Sequence, residues 1–550
     1  MKSYNIAISG EAGQGIKTSG DLLAKSLFRA GYYIHGDKSY HSRIRGGEYI
    51  SRVRVSEEPC YTMVETPDLV VSLSSQITNS IEESFKESTV ILADENDENL
   101  RGNVLQFDFK KIAKEIGNVV TMNVLIVSSI LSLMDVPIDI PEEILKKKFA
   151  KKEDALKMNL KALKVGYGIN LGIKKPGLQN KRRDGMVVLT GNEAAGLGAI
   201  SAGCKFLSAY PMTPGSGVMI YLANKAEKYG IVVEQAEDEI AAINMAIGAS
   251  FAGARAMVTT SGGGFALMEE GVSLAGMTET PVVIADAQRP GPATGLPTRT
   301  GQEDFFLTLK SGHGEFARYI VAPRTSKEAF ELMEKAFYMA DKYQIPSFFL
   351  MSQQLTDSEM TVVQPESNKE YNQRFIIDDA DENYKRFYLT ESGVSPRAIP
   401  GGKAIVKVDS DEHDEEGRIT EDLKIRVQMV EKRVKKEREV LKDINPPLKY
   451  NMDSEVILIG WGDSWGAIDE VCRNNKLGYM HFNELYPIKE DFLNELKGKR
   501  LIGVEGNLTG HFAEYLRSLT GYEIEHIGKY DGRPICPHWL EEKLKGVDAL

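Results

Sequence analysis

Apolar positions in this chain fall into two rhythms. Short unbroken apolar runs recur, and between them lie stretches of about 10–15 residues whose small and apolar side chains repeat at helical spacing. Over 186–353 the order reads strand 186–190, helix 192–204, strand 205–209, helix 215–229, strand 230–234, helix 238–252, strand 254–260, helix 265–277 and strand 281–285. Strands that alternate with helices form βαβ units, so this stretch predicts a parallel sheet covered on both faces. The N-terminal region opens the same way, with strand 4–9, a glycine turn and helix 19–30. Strands 455–460 and 500–506 with helix 511–520 repeat the pattern in the last hundred residues. Between them, 363–450 is charge-dense, with Asp409-Ser-Asp-Glu-His-Asp-Glu-Glu416 as its acidic extreme. It holds one clear helix, with Thr420 as expected N-cap. Leu423, Val427, Val430 and Val434 form a stripe on it that should pack on a neighbouring domain or subunit. The fold class is therefore α/β in three modules, 1–173, 186–362 and 451–550. A basic linker, 174–185, and the charged connector, 363–450, join them.

Composition narrows the function classes. A length of 550 residues suits three or four domains, and 42% hydrophobic against 27% charged residues is ordinary globular material. The formal charge of −12 disfavours wholesale nucleic-acid binding. The first 185 residues carry +3 and the remainder −15, so the acidity lies outside the first module. Cys60, Cys204, Cys472 and Cys536 stand at least 64 positions apart, which excludes a local CxxC zinc or iron–sulfur site and disfavours a disulfide scaffold. The eight histidines form no HxxxH or HExxH, so no metal ligands are expected from this chain. No apolar run nears the roughly 20 residues that span a bilayer, and the start lacks a signal-peptide core. The expected place is the reducing cytoplasm, without membrane contact.

Four turns carry candidate chemistry. In Gly10-Glu-Ala-Gly-Gln-Gly15-Ile-Lys17-Thr18 the lysine stands one residue too late for a P-loop. What remains is a glycine turn that opens a helix and offers backbone N–H groups to an anion, with Gly13 and Gly15 as its pivots and Arg43 and Arg45 as nearby guanidinium groups. Tyr210-Pro-Met-Thr213-Pro-Gly-Ser216-Gly217 follows a strand, where doubly wound sheets bind ligands. Its Thr213 and Ser216 hydroxyls can bond a carboxylate or carbonyl. Glu237 and Glu239 open a helix of small apolar residues that permits burial of a carboxyl at the positive end of the helix dipole. The loop 288–304 carries Arg289, Thr294, Thr298 and Arg299, a density of donors suited to an anion.

Taken in order, these segments resemble the 2-oxoacid:ferredoxin oxidoreductases, specifically an α subunit with the γ domain fused at its N-terminus. GEAGQGIKTSG and SRIRGGEY look like the γ domain. Residues 210–216 resemble the family's YPITPSS, with Met212 for Ile, Gly215 for Ser, and Thr213 retained. QRPGPATGLPTRTGQED and KYDGRP are similar to the 2-oxoglutarate branch. The resemblance implies a γ-type domain over 1–173 that helps close over coenzyme A through Gly13, Gly15, Arg43 and Arg45. It implies a pyrimidine-binding thiamine diphosphate domain over 186–362 and a transketolase-C-like domain over 451–550. An E-x(8)-G helix, counted back from Gly248, selects Glu239 as the carboxyl that bonds the aminopyrimidine and favours deprotonation of the thiazolium, with Pro211, Ser216 and Glu237 lining that site and Tyr210 on the substrate side. Thr213, Thr294 and an arginine, Arg289 or Arg299, would hold the 2-oxoacid carboxylate. Spacing favours Arg289.

A separate β subunit would supply the diphosphate site with its Mg²⁺ and a [4Fe–4S] cluster, giving an (αβ)2 assembly that passes electrons to ferredoxin. The implied reaction converts 2-oxoglutarate and coenzyme A to succinyl-CoA and CO₂. Gly462-Asp-Ser with Asn474-Asn475 does not restore a diphosphate motif, because Ser464 replaces its last glycine and the interval is too short. The alternatives are a pyruvate or broad 2-oxoacid substrate, a nucleotide-binding regulatory protein built on the first glycine turn, and a self-sufficient thiamine enzyme, which the missing diphosphate motif disfavours.

Overall fold

The computed structural model describes residues 2–40, 47–94 and 99–550. The chain divides into two compact units, one of Met1–Leu189, Asp357–Gln364 and Cys536–Trp539, the other of the remaining residues.

The first unit is built on β1 (Ser3–Glu11), β2 (Tyr33–Tyr40), β3 (Glu48–Ser56), β4 (Leu69–Ser72), β5 (Val90–Asp94), β6 (Asn103–Phe107) and β7 (Met186–Leu189). β1, β4, β5 and β6 run parallel, and β3 and β2 extend the sheet antiparallel from β1. The helix Ile16–Arg29 buries Ile16, Gly20, Leu23 and Leu27, whose 3- and 4-residue spacing gives one face, and Ile16, Leu23 and Leu27 join a core with Ile6, Ile8, Val53 and Val55.

The second unit carries two sheets. The first is built from β8 (Cys204–Ala209), β9 (Val232–Gln235), β10 (Arg255–Thr260), β11 (Val282–Gln288), β12 (Tyr319–Val321) and β13 (Pro346–Ser352). Its strand order is β12-β13-β11-β10-β8-β9, all parallel. The order turns back on itself at β8, so the chain crosses one face between β8 and β9 and the other after β9. That leaves a crevice between the ends of β8 and β10. Near-continuous apolar runs form these strands because both faces are covered; β10, β11 and β13 are buried from end to end.

Next comes β14 (Glu359–Val363), which lies in the first unit's sheet between β2 and β7. The run 186–190, expected to open the second module, thus supplies the edge strand of the first sheet instead. A four-residue apolar run signals a strand but not its partner, and the partner here lies some 170 residues downstream.

The remaining strands are β15 (Leu448–Tyr450), β16 (Val456–Trp461), β17 (Gly478–Phe482), β18 (Glu484–Tyr486), β19 (Arg500–Glu505) and β20 (Ile524–Gly528). They make a sheet of order β15-β17-β16-β19-β20, while β18 joins the edge of the larger sheet beside β12. One core serves both sheets. Phe305 packs against Trp461, Phe512 and Tyr515, with ring centroids 5.4–6.1 Å apart. Such buried aromatics each contribute roughly 1.5–3 kcal/mol relative to exposure.

The connector helix is Leu423–Lys442, and its N-cap is Asp422, which accepts from Lys424 N and Ile425 N. Thr420, the expected cap, instead accepts from Asp422 N. Among the described residues the stripe packs on no neighbouring domain: Leu423, Val427 and Val434 are exposed, and the buried face is Met429, Lys432, Arg433, Lys436 and Val440. That face can be buried because lysines pack their hydrocarbon stems like apolar side chains. Lys432 and Lys436, one turn apart, both reach the buried Glu279 at 2.6 Å, and Arg386 donates to the Glu279 carbonyl. These cations hold the Glu279 carboxyl well below the usual carboxylate range.

Three cations thus face one carboxylate. Glu279→Ala should lower stability by about 3–5 kcal/mol because it strands two buried ammonium groups, whereas Lys436→Met should be neutral or stabilising. Urea denaturation of the two variants checks this; equal losses would contradict it.

Candidate functional site

The site lies where the large sheet's order reverses. After β8 the chain makes the turn Tyr210–Gly215 and enters the helix Ser216–Ala223. Thr259 Oγ1 on β10 donates to Gly215 O at 2.8 Å, and a Cβ on Gly215 would come within 2.4 Å of Thr260 O. Glycine is therefore required for the turn to lie against the end of β10. Tyr210, Pro211 and Thr213 are exposed on it, and Ser216 is half-buried.

After β9 comes the helix Glu239–Phe251. Asp238 caps it, accepting from Ala241 N at 2.7 Å. Ala242 and Ala246 let it lie close to the sheet, and Ser208 on β8 donates to Ala242 O at 2.6 Å. Glu239, its first residue, is 3% exposed, while Glu237 is exposed. Glu239 Oε1 is buried and has no hydrogen-bond partner among the described residues. A carboxyl at a helix N-terminus is stabilised by the dipole, but one without a bonded partner costs free energy unless something outside this chain supplies it.

The wall facing that carboxyl is the run Gly262–Gly264 after β10. A Cβ on Gly264 would sit 2.6 Å from Glu239 Oε1 and 2.4 Å from Thr260 Oγ1. A Cβ on Gly262 would meet the Asp304 carboxyl at 2.3–2.6 Å. Two carboxyl groups thus press on the same stretch of backbone.

Loop 289–304 covers the run. Arg289 Nη1 donates to Thr213 O at 2.6 Å, joining two of the turns singled out in the sequence. Arg299 goes elsewhere: its stem packs on Gly532 of the KYDGRP turn. Thr294 is exposed at the loop tip. Gln302 holds the loop's far end, donating through Nε2 to Trp461 O at 2.9 Å and accepting from Gly506 N at 2.7 Å. Asp286, at the end of β11, is fully buried beside Asp304.

Sequence reasoning missed Asp286, Asp304 and the glycine wall. A signal was present: Asp286 is a lone carboxylate in an otherwise apolar run of a strand buried on both faces, and such a residue is retained only with a partner.

In the first unit, Gly13 and Gly15 take positive φ (100° and 81°), and the helix Ile16–Arg29 that they open has no side-chain cap. A cavity of about 280 Å³ lies at this edge, lined by Glu11, Gln14, Ser72, Ser74, Asp94 and Lys110 among others. Arg43 and Arg45 lie outside the described residues.

Residues 197–432 match a family model described as pyruvate flavodoxin/ferredoxin oxidoreductase, thiamine diphosphate-binding, and residues 5–169 match one described as pyruvate ferredoxin/flavodoxin oxidoreductase. The chain is 32% identical to a 2-oxoacid:ferredoxin oxidoreductase subunit alpha of Sulfolobus, over 98% of this chain and 96% of that one. It is 30% identical to the 2-oxoglutarate synthase subunit KorA of Methanocaldococcus jannaschii, over 65% of this chain and 99% of that one. Its fold matches the 2-oxoglutarate:ferredoxin oxidoreductase of Magnetococcus marinus, solved with 2-oxoglutarate, coenzyme A and succinyl-CoA bound. The TM-score is 0.92, at 30% identity over 99% of both chains.

The glycine wall has a direct test. Gly262→Ala should lower stability by about 1–3 kcal/mol, because the short, buried Asp304 side chain has no room to move away. Gly248 has open space around its Cβ position, so Gly248→Ala should gain up to about 1 kcal/mol from helix propensity. Denaturant midpoints of the two variants, expected to move in opposite directions, check both.

Proposed function

The chain belongs to the 2-oxoacid:ferredoxin oxidoreductases as a subunit alpha with that family's thiamine diphosphate-binding domain, and on that premise we propose that it serves oxidative decarboxylation of 2-oxoglutarate to succinyl-CoA. The observation that carries this is Glu239, a buried carboxyl whose Oε1 lacks a partner and faces a wall without side chains. Those features fit a flat heteroaromatic ring with a nitrogen to bond. Glu239 would hold the aminopyrimidine of thiamine diphosphate, with Pro211, Ser216 and Glu237 around it and Tyr210 on the substrate side. When bound, that group supplies the carbon nucleophile for decarboxylation.

The chain's own residues do the rest. Glu239 holds or gives up a proton at Oε1, and its burial keeps that proton from exchanging freely with solvent. Arg289, steadied by the Thr213 carbonyl, offers its remaining N–H groups to the substrate carboxylate, with the Thr213 and Thr294 hydroxyls at the mouth; Arg299 is the alternative arginine. The 2-oxoglutarate specificity is supported by the 288–304 and KYDGRP segments and by similarity to the M. marinus enzyme. In the first unit, the uncapped helix after Gly15 supports a role in binding coenzyme A, with Gly13, Arg43 and Arg45. The carboxylates of Glu11 and Asp94 in the neighbouring cavity argue for the phosphates lying outside it.

A second chain is part of the proposal. Large apolar side chains surround the site and face solvent: Tyr210, Ile220, Ile240, Leu267 and Leu296 are each 42–60% exposed. Such a patch marks a surface that another subunit covers. We assign that partner as the β subunit that holds the diphosphate with Mg²⁺ and a [4Fe–4S] cluster, passes electrons to ferredoxin and gives an (αβ)2 assembly in the cytoplasm.

Glu239→Ala should leave the assembly intact and cut 2-oxoglutarate-dependent dye reduction by at least about a hundredfold. Steady-state assays of the co-expressed subunits check this, with pyruvate as the competing substrate. Near-normal turnover would contradict the role of Glu239, and faster turnover of pyruvate would contradict the substrate.

A further inference from the structure

The Asp286 and Asp304 carboxyl groups lie within hydrogen-bonding reach of each other. No N–H or O–H of the other described residues reaches Asp286 Oδ1, Asp286 Oδ2 or Asp304 Oδ2. Two carboxylates without a donor repel, and in a site this buried nothing screens them. The contact is stable only if one proton sits between them, as in other carboxyl dyads. The position of the pair is specific. Asp286 precedes Arg289 by three residues, Asp304 ends the loop that begins at Arg289, and the pair therefore ties the two stems of that loop together. Two further bonds follow the same line: Gly291 N to Glu303 Oε2 at 2.8 Å, and Asp304 N to Gln288 Oε1 at 3.2 Å.

We propose that Asp286 and Asp304 share one proton and act as positioning residues, holding the 289–304 loop over the site and leaving Arg289 free to bind the substrate carboxylate, so that loss of the proton weakens 2-oxoacid binding. This deepens the proposed function and rests on it for the identity of the substrate. With one proton the pair carries a single negative charge, which Arg289 balances. With none, two negative charges compete with the incoming carboxylate for the same guanidinium, whose Nε is buried and without an acceptor among the described residues.

The charges acting on the pair are few. Arg289 and Glu303 come from the loop, and Glu239 stands on the far side of the glycine run. Burial pushes the Asp286 carboxyl well above the usual carboxylate range, with the neighbouring Asp304 adding to it and Arg289 opposing. Burial, with the Glu303 charge, pushes Asp304 up to about 7, against the pulls of its bond to Asp286 and of Arg289. Asp304 is thus the first of the two to ionise, and the proton that remains, held by Asp286 against the Asp304 charge, stays in the pair well beyond the pH at which a solvated aspartate releases its own.

The test uses the assembled enzyme with saturating coenzyme A. Between about pH 6.5 and 8.5, where the pair keeps its shared proton, the KM for 2-oxoglutarate should change less than about twofold; on the alkaline side, as that proton leaves, KM should rise roughly tenfold while kcat changes less than about threefold. In Asp304→Asn the amide can donate to Asp286 without titrating, and the KM change should shrink below about twofold. Asp286→Asn should do the same from the other side. Infrared difference spectra of the same assemblies should show a protonated carboxyl band that persists through about pH 8.5 in the wild type, disappears on the alkaline side together with the KM rise, and is absent from both variants. A wild-type KM slope in both variants, or no titrating carboxyl band, would overturn the proposal. The band with no 2-oxoacid turnover in the wild type would refute the substrate reading and uphold the shared proton.

Discussion

Everything at the reaction edge depends on a stretch of backbone that has no side chains. Where β10 ends, Gly262 and Gly264 leave space that the carboxyl groups of Asp304 and Glu239 fill, each closer than a Cβ would allow. A glycine run costs conformational entropy, roughly 0.5–1 kcal/mol per position against alanine in a helix. It is tolerated here because it places two buried carboxyls on opposite sides of one turn. Their roles differ because their partners differ. Glu239 has an oxygen that nothing among the described residues satisfies, whereas Asp304 has another carboxyl.

The doubly wound topology explains why residues so distant in sequence meet at this wall. β8, β10 and β11 are adjacent and parallel, so the segments that follow each of them leave the same edge. The helix after β9 returns its N-terminus there too. The smaller sheet then buttresses the longest of these segments. Gln302 bonds Trp461 and Gly506, and Asn507 Nδ2 donates to Gln302 O at 2.9 Å. Trp461 is in turn fixed by Glu505, a fully buried carboxylate that also accepts Phe512 N and Ala513 N at the start of the helix His511–Thr520. The C-terminal sheet thus sets where the Arg289 loop ends.

How much of this the sequence revealed depends on the kind of signal. Glu239 was legible because a carboxyl opening a helix of alanines and glycine is a local pattern, and its burial follows from those small neighbours. The meeting of Arg289 with Thr213 could be anticipated only as two turns at one edge. Asp286 and Asp304 were not legible as a pair, since the 17-residue interval between them contains a loop whose closure is itself the result of their contact. Strands β12, β13, β17 and β20 went unread because short runs such as Tyr319–Val321 carry no period. The connector helix buries another face than its apolar stripe for a physical reason, as its Lys432 and Lys436 stems bury like methylenes while Val427 and Val434 face solvent.

The cysteines complete the division of labour. All four are buried. Burial pushes the Cys204 thiol up to about 12 and the Cys472 thiol higher still. Thiolate is the form that ligates iron, so these side chains are held in the wrong protonation state as well as too far apart in sequence. On the proposed reading, electrons leave this chain across the surface that Tyr210, Ile240 and Leu267 leave apolar. The same surface then has two jobs on the proposed reading. It completes the site and it begins the electron path, which is reason enough for the site to sit at a subunit edge rather than in the middle of one chain.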